Sequence, residues 1–290
     1  MSAYAVENLP RRWFTGEEHT NMKLTIPSNA EKILQVLNEN GYEAYVVGGC
    51  VRDSILDRNP NDWDITTSAR PEEMLSIAAL RGWKAIDGGG RRFGTVIIVL
   101  GGENYEVTTF RSEVYGSDAH RPSEVSFAKT LKEDLMRRDF TVNAMAMDRS
   151  GRLYDEFGGL SDIERKRLRT VGDAGERFSE DALRLFRACR FVAQLDFMAD
   201  SSLVEGMESA FPRVSGLSLE RVRSEVDRLL VAAHAARGMD LLVRSGLARC
   251  SCRMKEKGAY TEVPILPELS HLVGLPQQKE FHKYDAWYHT

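Results

Sequence analysis

Four cysteines in 290 residues, Cys50, Cys189, Cys250 and Cys252, are too few and too scattered for a disulfide framework. Cys250 and Cys252 form a C-x-C that lacks the second ligand pair of a zinc site. A reducing cytoplasm fits this usage best. Long hydrophobic runs are missing, so no segment spans a bilayer as an apolar helix, and the N-terminus lacks the apolar stretch of a secretory signal. Internal repeats and low-complexity segments are absent too, which removes repeat architectures. Net charge is small, -4, which argues against a uniformly basic nucleic-acid binder. The arginines are nonetheless clustered, at Arg137-Arg138 and from Arg165 to Arg190, and these stretches are candidate phosphate-facing surfaces.

The chain is long enough for about two domains. Residues 1–21 are polar and aperiodic and are expected to be a disordered extension or the product of a start assigned too far upstream. The spacing predicts a helix over Ala30–Glu39, a short buried strand at Tyr45–Val47, a helix from Val51, a strand at Trp63–Thr67 and a helix over Pro71–Leu80. Two strands, Thr95–Leu100 and Tyr105–Phe110, joined by Gly101-Gly102, read as a hairpin. Residues 22–160 are therefore expected to form an α/β head with a mixed sheet. From about Ile163 helical spacing takes over, in Glu180–Leu195, Leu219–Ala232 and Gly238–Leu247, and 161–250 is expected to be an all-helical neck.

Chemistry concentrates in Tyr45–Thr66, YVVGGCVRDSILDRNPNDWDIT. Residues two apart on a strand share a face, so Asp62 and Asp64 aim together while Trp63 turns to packing. Paired carboxylates make a hard oxygen site suited to Mg²⁺. Gly48 and Gly49 let backbone approach a polyphosphate, and Arg52 offers it a charged donor. Taken alone, a D-x-D is usually the end of a loop. The G-G-x-x-R-D placed just upstream reverses that balance.

Together these residues resemble motif A of the nucleotidyltransferases related to DNA polymerase beta. More closely, the chain resembles the bacterial class II tRNA nucleotidyltransferase and poly(A) polymerase family, from roughly Asn29 to Leu230. The resemblance implies a polymerase beta-like head, with Asp62 and Asp64 as metal ligands and catalytic groups. It makes Glu106, in YEVTTFR, a third carboxylate that completes the metal site or helps deprotonate the RNA 3′-hydroxyl. RRDFTVNAMAMD, Arg137–Asp148, is similar to motif B. There Arg137 and Arg138 would meet phosphate oxygens, Asp139 a ribose hydroxyl, and Asn143 would support the loop. YDEFGGLSD, with Asp155, Gly158 and Gly159, would be a pliant connection between head and neck. Asp181 and Arg184, three apart on a predicted helix, match the E-D-x-x-R element that reads the base. A carboxylate accepting an amine beside a guanidinium donating to a ring nitrogen suits cytosine and adenine, not uracil or guanine. Arg187 and Arg190 would extend the basic face to triphosphate or tRNA. LSLERVRSEVDRLL, Leu217–Leu230, reads as a bracing amphipathic helix.

The implied activity is addition of CCA, or of its terminal A, to the tRNA 3′ end from CTP and ATP, with Mg²⁺ as cofactor. Alternatives are a poly(A) polymerase on the same scaffold and a truncated, non-catalytic RNA- or nucleotide-binding module. Phe93 stands where the family pattern has a histidine, and His120 where it has an arginine. Phe281–Thr290 resembles the opening of an HD-type helical domain. Residues 251–290 are therefore expected to begin a truncated helical region, with Leu247–Thr290 poorly packed.

Overall fold

The computed structural model describes residues 25–87, 94–115, 122–256, 258–271, 273 and 287. The expected extension at 1–21, the departures at Phe93 and His120, and all of Phe281–Thr290 except Trp287 lie outside those residues. The described chain divides into two compact units: residues up to Glu113 with Val125–Arg165, and Val114–Glu124 with Lys166 onward.

The first unit begins with α1 (Ser28–Glu39), whose Ala30, Ile33, Leu34 and Leu37 are buried at helical spacing. It ends where Gly41 takes φ 85°, a conformation that favours glycine. There follow β1 (Ala44–Val47), α2 (Gly49–Ile55), β2 (Ile65–Thr67), α3 (Pro71–Leu80), β3 (Lys84–Ile86), β4 (Thr95–Leu100) and β5 (Glu103–Thr109). Strands β6 (Arg111–Tyr115) and β7 (Pro122–Phe127) pair as a small ribbon that straddles the division. Helix α4 (Leu131–Met136), strands β8 (Ala146–Met147) and β9 (Leu153–Tyr154), and helix α5 (Gly159–Glu164) complete the unit. Its seven-stranded sheet runs β3-β4-β5-β2-β1-β8-β9. Every neighbouring pair is antiparallel except β2 with β5, so the sheet is mixed as expected.

This topology gathers particular chain segments at one end of the sheet. Strand β1 is antiparallel to both β2 and β8, so its C-terminal end lies beside the starts of those strands. Because β5 runs parallel to β2, Glu106 comes level with the residue before β2. The Gly48-Gly49 corner, the Asp62–Asp64 approach, Glu106 and the segment before β8 therefore converge.

The second unit contains β10 (Arg167–Leu168), α6 (Ala174–Glu180), α7 (Leu183–Leu195), β11 (Met198–Ala199), α8 (Ser201–Met207), α9 (Phe211–Val214), α10 (Leu219–Leu230), α11 (Ala235–Arg244), β12 (Ser251–Glu256), β13 (Ala259–Pro264) and α12 (Pro267–Ser270). Helix α7 is its core, buried on nearly every side and packed by α10 and α11. Gly238 permits that closeness: a Cβ there would stand 2.4 Å from the Cys189 carbonyl oxygen.

The expected helical start at residue 251 is a hairpin instead, β12 paired antiparallel with β13. Gly258, at φ 87°, makes its turn, and Tyr260, Thr261 and Val263 are strand formers. Packing there is mixed rather than uniformly poor. Leu247, Ala248 and Cys252 are completely buried, while β13 is largely exposed.

Candidate active site

Strand β2 begins at Ile65, two residues after the expected start at Trp63, so Asp62-Trp63-Asp64 is its lead-in. The approach is still anchored, since Val47 N–H donates to the Asp64 carbonyl at 3.0 Å. Ile65 pairs with Val107, and both are buried. Alternation then sets Asp64 and Glu106 on the opposite, open face of the sheet. Desolvation around the Asp64 carboxyl and the charge of Glu106 raise its pKa, and Asp62 adds to the rise. Arg138 acts in the opposite direction. Asp62, Asp64 and Glu106 thus share one field, and Arg138 faces it. Like charges gathered on an open face suit a hard dication, and Asp62 and Asp64 fit that role. Among the described residues no group of three or more His, Cys, Asp or Glu side chains is arranged to hold one ion. Glu106 stands within electrostatic reach of Asp64.

The diglycine corner is shaped by its neighbours. Gly48 adopts φ 84°, and a Cβ there would come 3.0 Å from Arg138 Nη1. Its N–H is already used, donating to the Met145 carbonyl at 3.0 Å. Gly48 therefore supplies room and curvature rather than a backbone donor.

Arg138 and Arg137 are both held by Asp134, a buried carboxylate that sequence reasoning missed. Arg137 Nε and Nη2 donate to Asp134 Oδ1 at 3.0 and 2.9 Å, and Arg138 Nη2 donates to Oδ2 at 3.2 Å. Thr66 Oγ1 donates to Oδ2 at 3.2 Å, and Arg111 N–H to Oδ1 at 3.3 Å. Burial acts to raise the Asp134 carboxyl, but Arg138 and Arg137 outweigh it and hold the pKa below the usual range. The signal was present: Arg137 and Arg138 lie three and four residues after Asp134, the spacing of helical ion pairs.

Arg52, expected to face phosphates, grips Asp53 through Nε and Nη2 at 2.8 and 2.9 Å and donates from Nη1 to Asn143 Oδ1. Asn143 Nδ2 in turn donates to Asp139 Oδ1 at 3.1 Å, which also accepts from Phe140 N–H at 2.8 Å. The chain Asp53–Arg52–Asn143–Asp139 links both sequence motifs, as expected for Asn143, and all but Asp53 are buried.

The stretch Asp155–Gly159, expected to be a pliant connection, carries several hydrogen bonds. Asp155 accepts from Gly159 and Leu160 N–H at 2.7 and 2.9 Å. Thr141 Oγ1 donates to the buried Asp162 at 2.7 Å. A Cβ at Gly159 would lie 2.3 Å from the Thr141 carbonyl oxygen. Helix α5 is thus clamped to the 3-10 turn Thr141–Asn143.

The remaining candidates belong to the second unit. Asp181 and Arg184 do not share a helix, because the chain is extended at Asp181 (φ -139°, ψ 102°), between α6 and α7. Asp181 Oδ1 accepts from Leu183 N–H at 3.0 Å, a local contact at the start of α7. Arg184 Nη1 donates to Glu180 Oε2 at 2.7 Å and to the Arg177 carbonyl at 2.9 Å. Arg177 Nη1 meets the same Glu180 oxygen at 2.7 Å. Burial raises the Asp181 carboxyl against the pull of Arg184, Arg221 and Arg187. Arg187 lies 5.4 Å over the Phe191 ring.

Arg190 pairs with Glu225 at 2.5 Å and with Gln194 at 2.7 Å, and the ion pair is buried. It bolts α7 to α10. Glu225→Ala should cost about 3–5 kcal/mol in urea unfolding, because it strands a buried charge. A loss under about 1 kcal/mol would show the pair to be dispensable.

A cavity of about 690 Å³ opens at the far end of β1, lined by Glu31, Tyr42, Tyr45, Asp148 and Tyr154 among others. None of these is among the candidate residues. No helix among the described residues is long and apolar enough to cross a membrane.

Comparison with known proteins follows the same division. Residues 44–169 match the model of the poly A polymerase head domain. Residues 196–250 match that of the probable RNA and SrmB-binding site of polymerase A. A CCA-adding enzyme of Streptococcus pyogenes is 48% identical over 260 residues, 87% of this chain and 60% of the relative. The crystal structure of Bacillus stearothermophilus CCA-adding enzyme in complex with CTP is similar at TM-score 0.70 and 43% identity, covering 77% of this chain and 53% of that one. A tRNA nucleotidyltransferase complexed with a primer tRNA and an incoming ATP analog is similar at TM-score 0.60 and 28% identity, covering 75% of this chain and 61% of that one. The chain spans 60% of the length of the curated relatives it matches.

Proposed function

We propose that this chain, whose residues 44–169 match the poly A polymerase head domain, is a tRNA nucleotidyltransferase, adding C and A to the tRNA 3′ end from CTP and ATP. One observation carries the reading. Asp64 feels the charges of Glu106 and Asp62 on one hand and of the Arg138 guanidinium on the other, and Arg138 stands beside the glycine corner at Gly48. An arrangement with acid on one side and guanidinium on the other suits a reaction at a polyphosphate, where attacking hydroxyl and leaving pyrophosphate both carry charge.

Asp62 and Asp64 would hold Mg²⁺, which when bound neutralises developing negative charge on the phosphates. The residues of the chain supply orientation. Arg138, with Arg137, meets the phosphates, and Gly48 leaves them room. Arg52 and Asn143 support Asp139, which reads the ribose. Glu106 helps to accept the proton of the RNA 3′-hydroxyl as it attacks the α-phosphate. Asp181 and Arg184 read the base, with Glu180 holding Arg184, and Arg187 contributes charge. Arg190 acts through packing. A cytoplasmic location goes with this substrate.

The test is incubation with tRNAs ending before the first C, after one C and after CC, each with CTP, ATP or UTP alone. Products are read at single-nucleotide resolution. Addition of C to the first two and of A to the third is expected. Incorporation of UTP at comparable rates would remove the base-reading role of Asp181 and Arg184. Long A tails on unrelated RNA would turn the assignment to a poly(A) polymerase.

A further inference from the structure

We propose that Asp134 is a positioning residue for nucleotide binding, holding the Arg138 guanidinium at the glycine corner so that it meets the triphosphate of the incoming nucleotide. The inference rests on the reading of function above and adds a residue to it.

Asp134 is a buried carboxylate with two guanidinium partners, where one would balance its charge. The trio of Asp134, Arg137 and Arg138 carries one net positive charge. Arg138 is tied by Nη2 to Asp134, while Nη1 is the atom nearest to where a Gly48 Cβ would stand. Arg138 Nε is buried with no hydrogen-bond partner, an unmet donor in a side chain that carries five. An anion with several acceptor oxygens at the corner would satisfy donors that the protein leaves over. Asp134 also accepts from Thr66, two residues beyond Asp64. One carboxylate therefore sets both where the phosphate-facing guanidinium lies and how far it stands from the strand that follows Asp64. Helix α4 presents it rigidly, with Thr130 capping the first turn by accepting from Glu133 N–H at 3.3 Å.

The experiment measures equilibrium CTP affinity and thermal melting of the full chain for wild type, Asp134→Asn, Arg138→Ala and the double variant. Asp134→Asn should weaken CTP about tenfold. In the Arg138→Ala background the same change should cost less than about twofold, because the arginine through which it acts is gone. Its effect on melting temperature should persist in both backgrounds. A merely structural role gives the opposite pattern, with equal losses of affinity in both backgrounds, and that result overturns the proposal. So does an Asp134→Asn variant that binds CTP as tightly as wild type. Asp134→Glu keeps the charge but displaces it, and should bind with intermediate affinity. If neither Asp134 variant folds, the residue belongs to folding and the proposal falls. If wild-type protein binds no CTP, the reading of function itself fails, and the inference with it.

Discussion

Asp64→Asn should lower nucleotidyl transfer by roughly 1,000-fold or more, equivalent to about 4 kcal/mol of transition-state stabilisation, while raising the melting temperature. The two effects share one origin. Desolvation and the charges of Glu106 and Asp62 raise the Asp64 carboxyl, with Arg138 only partly opposing them. A carboxyl raised in the folded state costs stability once the pH exceeds the ordinary carboxylate range, and it costs nothing well below that range. An amide carries no charge and removes that cost at neutral pH, but it gives up the hard anionic ligand. Sites under functional strain behave in this way. Single-turnover assays and thermal melts in divalent-free buffer make the comparison. A variant that melts well below wild type would mean that Asp64 supports the fold, and retained turnover would remove it from the chemistry.

Gly159→Ala should destabilise the first unit by about 2–3 kcal/mol, the usual cost of forcing a methyl into a filled space. The added Cβ would sit 2.3 Å from the Thr141 carbonyl oxygen and 3.0 Å from the Met145 side chain. Backbone on one side cannot yield cheaply, so the Thr141–Asn143 turn has to shift. Asn143 moves with it, and the Arg52–Asn143–Asp139 chain loosens. A lower urea midpoint and weaker nucleotide binding are both expected. An unchanged midpoint would show that α5 is free to move away, as the pliant connection expected from sequence requires.

Much of the first unit was legible because its signals are local. Helix α1 has strict apolar spacing, and the β4–β5 hairpin announces itself through Gly101-Gly102, both at positive φ. The D-x-D pair was legible as chemistry although not as strand, since Asp64 has a ladder-like bond from Val47 but no regular partner for its own N-terminal neighbours. The two-residue strands β8 and β9 carry no periodicity to read, and only the tertiary sheet defines them. Asp181 and Arg184 show one rule overriding another. Helical spacing argued for a shared face, while the Asp181 side chain bonds the nearby Leu183 N–H and the chain is extended there, between two helices. Arg52 and Arg190 also make contacts that their motifs do not announce. Their buried partners Asn143 and Glu225 lie far off in the chain, where pattern gives no hint of contact. Asp134 has the spacing of a helical ion pair with both arginines, but only its burial distinguishes it from a surface acid.

The pairing of β1 with β8 bears on how the protein is made. Val46 meets Met147, and the Gly48 N–H finds its acceptor only in Met145. A nascent chain still awaiting those residues at the ribosome holds an apolar strand, Ala44–Val47, with one flank unsealed. Closing so wide a loop is slow compared with forming the helices around it. The glycine corner is thus expected among the last parts to set, with that flank open to aggregation until then.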